Sequence, residues 1–318
     1  MAAVAPTRKI PSVEEDILSG LFDEPRSLPA KYFYDDRGSE LFDQICDVPE
    51  YYPMRTESAL LKEHADAIIA KTRPQRILEL GSGKSRKTRY LLDACERQDC
   101  HPVYAPFDVC DDVVLESGQS LSETYEWLEV EGLVGDYTGG LGNLPFPEER
   151  HLVIFLGGTI GNFSATESTK FLDEVRGMMS DGDTFLIGAD RMKDPDVLHS
   201  AYNDEQGVTA EFNLNMLNVV NRAVDADFDP GGFHHYAHFN PDESQIEMHL
   251  ISRTAQQVTL GSLDREIGFD EGDTIRTEIS RKFTRKRLDT LLDDAGFSPQ
   301  VHFEASARPF SLVLADPC

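Results

Sequence analysis

An apolar strand, a glycine loop and a helix-forming segment follow one another in RILELGSGKSRKTR, residues 76–89. Strand-like and helix-like segments continue to alternate through the middle of the chain, which is typical of βαβ units and a parallel sheet. The strand candidates are RILEL, PVYAPFDV, EVEGLVGDY, HLVIFLGG and TFLIGAD. The pattern predicts an α/β fold with a mostly parallel, Rossmann-like sheet.

Three further segments complete this pattern. SATESTKFLDEVRGMM predicts a crossover helix between the last two strands, because Ser164 and Glu167 form a capping box at its start. TRKRLDTLLDDAGF predicts a later helix that ends at Gly296. PQVHFEA and PFSLVLADP then predict an antiparallel hairpin at the end of the sheet.

Two segments do not fit the alternation, residues 1–57 and residues 196–282. We predict that they form a second, α+β domain that binds the substrate, while residues 58–195 and 283–318 form the cofactor-binding domain. Open α/β sheets bind ligands at the carboxyl ends of their strands. We therefore expect the second domain to act as a lid there, so that both domains contribute to the active site.

Charge and composition exclude several classes of partner. The 318 residues include 57 acidic and 30 basic ones, for a formal net charge of −27, which repels nucleic acids and anionic membranes. No apolar run reaches the roughly 18 residues of a membrane span, and the first residues lack the apolar core of a secretory signal. The five cysteines show no zinc or CxxC spacing. We expect a cytoplasmic protein with reduced thiols, no nucleic-acid or membrane partner, and a monomeric state.

The glycine loop fits neither of two common nucleotide motifs. Gly81 and Gly83 match the first two glycines of a dinucleotide fingerprint, but Arg86 stands where the third is required. A Walker loop is excluded because the residues before Gly83-Lys84-Ser85 lack the required gap. What remains is E-x-G-x-G after a first strand, with Asp108 at the end of the second.

The E-x-G-x-G loop followed by an acidic residue at the next strand end suits an adenosyl cofactor. Glycines let the backbone approach the ligand, the helix N-terminus favours its carboxylate, and Asp108 can accept both ribose hydroxyls. Asp136 of GDY can accept the adenine amine. Each residue alone also fits an ordinary turn or strand end, but their order at successive strand ends predicts S-adenosylmethionine (SAM). The predicted cofactor residues are Gly81, Ser82, Gly83, Lys87, Asp108, Asp136 and Tyr137.

Longer stretches resemble a known family over almost the whole chain. They are SLPAKYFYDDRGSELFDQI, PEYYPMRTE, LELGSGKSRKTR, FDV, FLGGTIGNF, AYNDEQGVTAEFNLN and IRTEISRKF. Through them the chain resembles the L-histidine Nα-methyltransferases of ergothioneine biosynthesis. The resemblance implies a class I SAM-dependent methyltransferase core and a second domain made from the N-terminal segment and a late insertion.

The resemblance also implies roles for individual residues. Asn162 of the G-x-T-I-G-N loop and Tyr202 of AYND would hold the substrate carboxylate. Glu278 and Ser280 of T-E-x-S-x-K-F would bind the imidazole, with Tyr51 beside the ring.

Two further residues complete the implied pocket. Tyr34 would lie near the amine, and Met248 would line the pocket wall. The catalytic residues would be Tyr34, Asn162 and Tyr202. Taken singly, these side chains have ordinary structural readings, with Asn162 as a turn residue, Tyr202 and Tyr34 as core or rim aromatics, and Glu278 as a solvated strand position, and it is their joint presence in the motifs that favours the pocket. Gly158 departs from the serine common in the family, which leaves the hydrogen bonding of its loop open.

Methyl transfer needs a neutral amine aligned with the sulfonium methyl group, together with a route for the released proton. It requires neither a covalent nucleophile nor a metal. His234, His235 and His238 cluster in GGFHHYAHFN, but no carboxylate or cysteine stands at a convincing spacing from them. We therefore predict no metal.

The predicted function is transfer of three methyl groups from SAM to the α-amine of L-histidine, which gives hercynine, the first step of ergothioneine biosynthesis. One alternative is N-methylation of another free amino acid, such as tryptophan. A carboxylate at Glu278 argues against an indole-sized apolar ring. The other alternative is a regulatory protein that binds SAM without turnover.

Overall fold

The computed structural model describes residues 1–305 and 309–318, which form two compact units. The first unit comprises Met1–Ile10, Pro53–Arg191 and Phe283–Cys318, and the second comprises Pro11–Tyr52 and Met192–Lys282. Residues 1–10 and 53–57, predicted to lie in the second domain, belong to the first unit. The assignment of one unit to the cofactor and the other to the substrate stays a prediction.

An eight-stranded sheet forms the first unit, in the order β1-β4-β3-β2-β5-β6-β13-β12. Neighbours from β1 to β6 pair in parallel, and β13 pairs antiparallel with β6 and β12. This arrangement confirms the mostly parallel sheet with an antiparallel C-terminal hairpin. The strands are β1 (Ala2–Ala3), β2 (Arg76–Leu80), β3 (Val103–Asp108), β4 (Leu133–Val134), β5 (His151–Phe155), β6 (Thr184–Asp190), β12 (Phe297–Glu304) and β13 (Phe310–Pro317).

Helices cover both faces of this sheet. In the central strands Val153 and Phe185 pack into one apolar cluster, while Ile154 and Leu186 pack into the other. Burial on both sides explains why these strands are continuously apolar rather than alternating. The helices are α3 (Pro53–Thr72), α4 (Thr88–Arg97), α5 (Asp111–Thr124), α6 (Ala165–Met178) and α9 (Arg285–Asp294), with 3₁₀ helices at Tyr137–Gly139 and Thr159–Asn162.

The crossover helix α6 begins as predicted. The Ser164 hydroxyl accepts a hydrogen bond from the backbone N–H of Glu167, whose carboxylate accepts one from the backbone N–H of Ser164. The start of the chain also belongs to this unit, because Ala2–Ala3 pairs with Leu133–Val134 and Arg8 forms an ion pair with Glu174. These contacts explain why residues 1–10 lie outside the predicted second domain.

The third predicted strand, EVEGLVGDY, is much shorter than expected. Val130 makes only an isolated bridge with Tyr104, and regular pairing is confined to Leu133–Val134. The Asp136 side chain then accepts the backbone N–H of Thr138 and begins a 3₁₀ helix. A local side-chain cap has therefore replaced the end of the strand.

The second unit is α+β. Its three-stranded antiparallel sheet has the order β11-β8-β7, and β9 and β10 form a separate hairpin. The strands are β7 (Phe233–Asn240), β8 (Gln245–Ser252), β9 (Gln256–Leu260), β10 (Arg265–Phe269) and β11 (Thr274–Arg281). The helices are α1 (Val13–Phe22), α2 (Asp36–Asp47), α7 (Pro195–Tyr202) and α8 (Val208–Val224), with 3₁₀ helices at Ala30–Phe33, Pro230–Gly232 and Gly261–Leu263.

Side chains alternate between the two faces of the three-stranded sheet. On β8, Ile246, Met248 and Leu250 are buried in the apolar cluster of this unit, whereas Glu247 and His249 point to the other face. We call these the inner and outer faces. A register shift between Arg276 and Glu278 marks a β-bulge on β11.

Candidate cofactor and substrate sites

The glycine loop folds back onto the end of β3. The backbone N–H groups of Gly81 and Ser82 both donate to the Phe107 carbonyl, and the N–H of Gly83 donates to Asp108 Oδ2 at 2.8 Å. Gly81 and Gly83 have φ of +70° and +48°, which glycine adopts without strain. A Cβ on Gly83 would meet no atom within 4 Å. The predicted loop and Asp108 therefore lie together beside open space.

Asp136 and Tyr137 lie next to this loop. A Cβ built on Gly81 would be 3.7 Å from the Tyr137 ring. That ring packs edge-on against Phe155 and Phe163, with centroids 6.1 and 5.9 Å away. Burial raises the pKa of Tyr137, and the carboxylates of Asp136 and Asp108 raise it further. Tyr137 is therefore a neutral phenol at the carboxyl ends of the strands.

Lys87, predicted to bind the cofactor, forms an ion pair with Glu57. Glu57 is fully buried, and its two oxygens accept the backbone N–H of Gly157 at 2.9 and 2.8 Å. A Cβ on Gly188 would lie 1.9 Å from Glu57 Oε1, so only glycine fits there. The pair joins the first glycine loop to the loop after β5.

Glu79, the acid of E-x-G-x-G, is buried and has a structural role. It accepts hydrogen bonds from Tyr104 and, at 2.6 Å, from Thr88 Oγ1. Burial raises its pKa to about 7, although these hydrogen bonds and Lys87 act in the opposite direction. Glu79 thus ties β2 to β3 and to the start of α4.

Asn162 ends the 3₁₀ helix that follows β5. Its side chain is half-buried and has no hydrogen-bond partner among residues 1–305 and 309–318. The helix begins after Gly158, whose φ of +67° is left-handed. A serine here would be strained in this conformation, so the departure from the family pattern matches the local backbone.

In the second unit, Tyr202, Ser280 and Lys282 form a triangle of hydrogen bonds. Tyr202 Oη donates to Ser280 Oγ at 2.9 Å. Lys282 Nζ donates to Tyr202 Oη at 3.0 Å and to Ser280 Oγ at 2.8 Å. All three residues are buried. The triangle joins the end of α7 to β11.

Glu278 lies on the same inner face as Ser280. It stands opposite Met248, and burial raises its pKa to about 7, while Lys282 opposes the rise. The Tyr51 ring packs edge-on against Tyr202 with centroids 6.2 Å apart. Burial raises the pKa of Tyr51, with contributions from Tyr202, Cys46, Glu278 and Tyr34. The structure therefore brings five of the predicted substrate residues together.

Tyr34 stands at the exposed end of a row of aromatic rings. Its side chain is 49% exposed, and its ring packs edge-on against Phe42, which packs edge-on against Tyr51. Asn162, the remaining predicted substrate residue, belongs to the first unit.

Two charged residues were missed by the sequence analysis. Burial of Glu57 could have been predicted from the sequence, because it falls on the apolar stripe of its helix together with Leu60 and Leu61. Lys282 stands in the same IRTEISRKF motif as Glu278 and Ser280, but nothing in the sequence indicates that its ammonium group turns back to Ser280.

Two polar residues that support Tyr202 were also missed. The ring of His235 accepts a hydrogen bond from Asn213 at Nδ1 and donates one from Nε2 to the Tyr202 carbonyl at 2.8 Å. Burial lowers the pKa of His235, so the neutral ring fixes the end of α7.

Comparison with known proteins identifies relatives along almost the entire length. The family model described as "Histidine-specific methyltransferase, SAM-dependent" matches residues 13–317. The histidine N-alpha-methyltransferase of Mycolicibacterium smegmatis is 42% identical, over 96% of this chain and 94% of that protein. Its namesake from Mycobacterium tuberculosis is 40% identical over the same shares. The 4-dimethylallyltryptophan N-methyltransferase easF of Claviceps purpurea is 28% identical, over 90% of this chain and 89% of that protein.

None of the helices in the described parts of the chain combines the length and apolar character needed to cross a bilayer. The sheet order and the family match together identify a class I SAM-dependent methyltransferase fold with an added domain. The chain therefore belongs to the family of histidine-specific, SAM-dependent methyltransferases, and it is an N-methyltransferase.

Proposed function

We propose that this enzyme transfers three methyl groups from SAM to the α-amine of L-histidine and so forms hercynine. The observation that carries the proposal is the set of polar groups on the inner face of β11, where Glu278 lies beside the triangle of Tyr202, Ser280 and Lys282. The names of the relatives at 42% and 40% identity support the same substrate.

The directions of the hydrogen bonds suit a neutral imidazole. Ser280 Oγ accepts from both Tyr202 and Lys282, so its own proton is directed elsewhere and can be donated to the bare ring nitrogen. The carboxylate of Glu278 can accept the N–H on the other ring nitrogen. One donor and one acceptor together match imidazole and match no purely apolar ring.

Tyr202 has to change partners if it holds the substrate carboxylate. A phenol has one proton, and in the structure that proton is donated to Ser280. We propose that the carboxylate takes over this proton, while Lys282 continues to donate to Tyr202 Oη. The amide of Asn162 is the second proposed carboxylate ligand, and Tyr34 is the proposed neighbour of the amine.

The cofactor residues are proposed on the same basis. Asp108 would accept the ribose hydroxyls, the loop of Gly81, Ser82 and Gly83 would approach the cofactor through its backbone, and Asp136 with Tyr137 would contact the adenine. Lys87 would act through its ion pair with Glu57, which fixes the loop after β5.

Methylation of a tryptophan-like substrate is the second candidate, because one relative is named a 4-dimethylallyltryptophan N-methyltransferase. The pocket disfavours it, since indole offers an N–H that Glu278 could accept but no bare ring nitrogen to accept from the Ser280 hydroxyl.

The direct test is a mass-spectrometric screen of the common amino acids, each incubated with the purified protein and isotope-labelled SAM. We expect histidine alone to gain one, two and then three labelled methyl groups. Labelled tryptophan would favour the second candidate. SAM binding in calorimetry without any labelled product would favour a regulatory protein.

The specificity of the pocket can be tested with two variants. We expect Glu278→Ala to reduce the preference for histidine over tryptophan, and Asn162→Ala to slow turnover of every accepted amino acid, because poor alignment of the amine lowers the rate. An unchanged ratio of histidine to tryptophan activity in Glu278→Ala would contradict the proposed imidazole site.

A further inference from the structure

Three potential metal ligands meet on the outer face of the three-stranded sheet. His238 on β7 pairs directly with Glu247 on β8, and His249 lies two residues further along β8 on the same face. Directly opposed residues of an antiparallel pair have Cβ atoms about 5 Å apart, and diagonal neighbours are within reach of long side chains. Sequence spacing did not reveal this carboxylate, because it comes from the neighbouring strand.

The side-chain atoms are close enough to share one ion. One ligand atom from each of the three residues lies within 4.8 Å of the other two, and His249 Nε2 is 3.3 Å from Glu247 Oε2. The other carboxylate oxygen, Oε1, accepts hydrogen bonds from Asn240 Nδ2 and Gln245 Nε2, both at 2.8 Å. Two amides thus hold the carboxylate in place, as the hydrogen-bond partners of ligands do in metal sites.

Two imidazole nitrogens in this cluster lack a partner. Nδ1 of His238 and Nδ1 of His249 are buried and have no hydrogen bond within the described residues. The side chains of His249 and Glu247 are only 15% and 13% exposed. A buried nitrogen without a partner is unfavourable, and coordination satisfies only the nitrogen that faces the ion. In His249 the nitrogen that faces Glu247 is the other one, Nε2, so the proximity of the three side chains carries the argument.

Two imidazoles and one carboxylate are typical ligands for divalent first-row transition metals, with open positions left for water. Arg276 lies opposite His249 on β11 and opposes the binding of a cation, while Glu247 favours it. We propose that His238, Glu247 and His249 bind one divalent transition metal ion such as Zn²⁺. Met248 and Glu278, two of the proposed substrate residues, lie on the inner face, so the proposed ion lies on the other side of the sheet from them.

The test is calorimetric titration of the full-length, EDTA-treated protein with zinc chloride. Cys110 and Cys318 are exposed, so both are first replaced by serine to remove competing thiolates. We expect one zinc ion to bind per chain and to raise the melting temperature. Binding of less than one ion per chain in this background would overturn the proposal.

Variants then locate the site. We expect His249→Ala and the isosteric Glu247→Gln to weaken zinc binding at least tenfold, with the circular dichroism spectrum unchanged for Glu247→Gln. His234→Ala is the matched control, because His234 lies on the same face of β7 but opposite Ile251. Equal weakening by the control, or no weakening by Glu247→Gln, would overturn the proposal.

Discussion

The candidate cofactor site and the candidate substrate site are built in different ways. The first consists of backbone amides and single carboxylates at the ends of neighbouring strands, such as Gly83 N–H and Asp108. The second consists of long side chains from a helix and a sheet, joined by the triangle of Tyr202, Ser280 and Lys282. A backbone site is set by a short contiguous motif, whereas a side-chain network depends on the register of the whole sheet.

This difference predicts that a variant in one unit impairs either SAM binding or the handling of histidine, but not both. Changes around the glycine loop should alter the affinity for SAM, and changes around the triangle should alter the handling of histidine. A variant at either site that changed the affinities for SAM and for histidine equally would contradict the separation of the two sites.

The largest expected effect is on the stability of the first unit. Glu57→Ala leaves the Lys87 ammonium, 13% exposed, without its partner and removes the acceptor for Gly157 N–H. Loss of one member of a buried ion pair costs about 3 to 5 kcal/mol. We expect urea unfolding to show a loss of this size. Glu63→Ala, at a well-exposed position of the same helix, is the control, and a loss below about 1 kcal/mol in Glu57→Ala would be inconsistent with a buried pair.

In the second unit, Lys282→Met removes two charge-assisted hydrogen bonds from Tyr202 and Ser280. We expect kcat/KM for histidine to fall about 100-fold or more, since such bonds are worth roughly 1.5 to 3 kcal/mol each, while SAM affinity is unchanged. The pKa of Glu278 should also rise, because Lys282 lowers it. Lys193→Met is the control, since Lys193 lies over the Tyr52 ring in the same unit. Wild-type kcat/KM in Lys282→Met would show that the triangle is not part of the substrate site.

Asp108→Ala tests the candidate cofactor site in the first unit. We expect SAM affinity to fall by about 1.5 to 3 kcal/mol through loss of charge-assisted hydrogen bonds, with the fold and histidine affinity retained. Calorimetry with SAM measures this loss. Asp112→Ala, exposed in the first turn of α5, should bind SAM normally. The ribose assignment would be wrong if Asp108→Ala and Asp112→Ala bound SAM equally well.

The smallest predicted effect concerns pH. The folded-state pKa of Glu278, about 7, lies above the unfolded value of about 4.3. A raised pKa means that the contribution of Glu278 to stability is complete below pH 4.3 and is lost as pH rises through 7. We expect Glu278→Gln to gain about 1 to 2 kcal/mol in unfolding free energy relative to the wild type between pH 6 and pH 8. Denaturant unfolding at several pH values measures this gain, and a difference that did not change with pH would contradict the raised pKa.

Local patterns in the sequence were enough to predict the parallel sheet, the α6 capping box and the glycine loop beside Asp108, because each depends on neighbouring residues. The length of β4 was not predictable in this way, since the Asp136 side chain caps a 3₁₀ helix that includes Tyr137, the last residue of the predicted strand. The partners of Glu57, Lys282 and Glu247 come from distant segments or neighbouring strands, so only the folded chain reveals them.

The β-bulge between Arg276 and Glu278 has a consequence for how the proposed substrate recognition would be inherited. Residues on a strand alternate between faces, so the extra residue Thr277 changes which positions are even and which are odd. Ile275 before the bulge and Glu278 and Ser280 after it all lie opposite inner-face residues of β8. Loss of the single codon for Thr277 would leave Ile275, Arg276 and Glu278 in regular alternation, so Glu278 and Ser280 would stay on the inner face. Loss of the codon for Ile279 would instead place Ser280 directly after Glu278 and turn it to the opposite face. The proposed recognition therefore depends on the spacing between Glu278 and Ser280 as much as on their identity, whereas the bulge residue itself can be lost from the pattern.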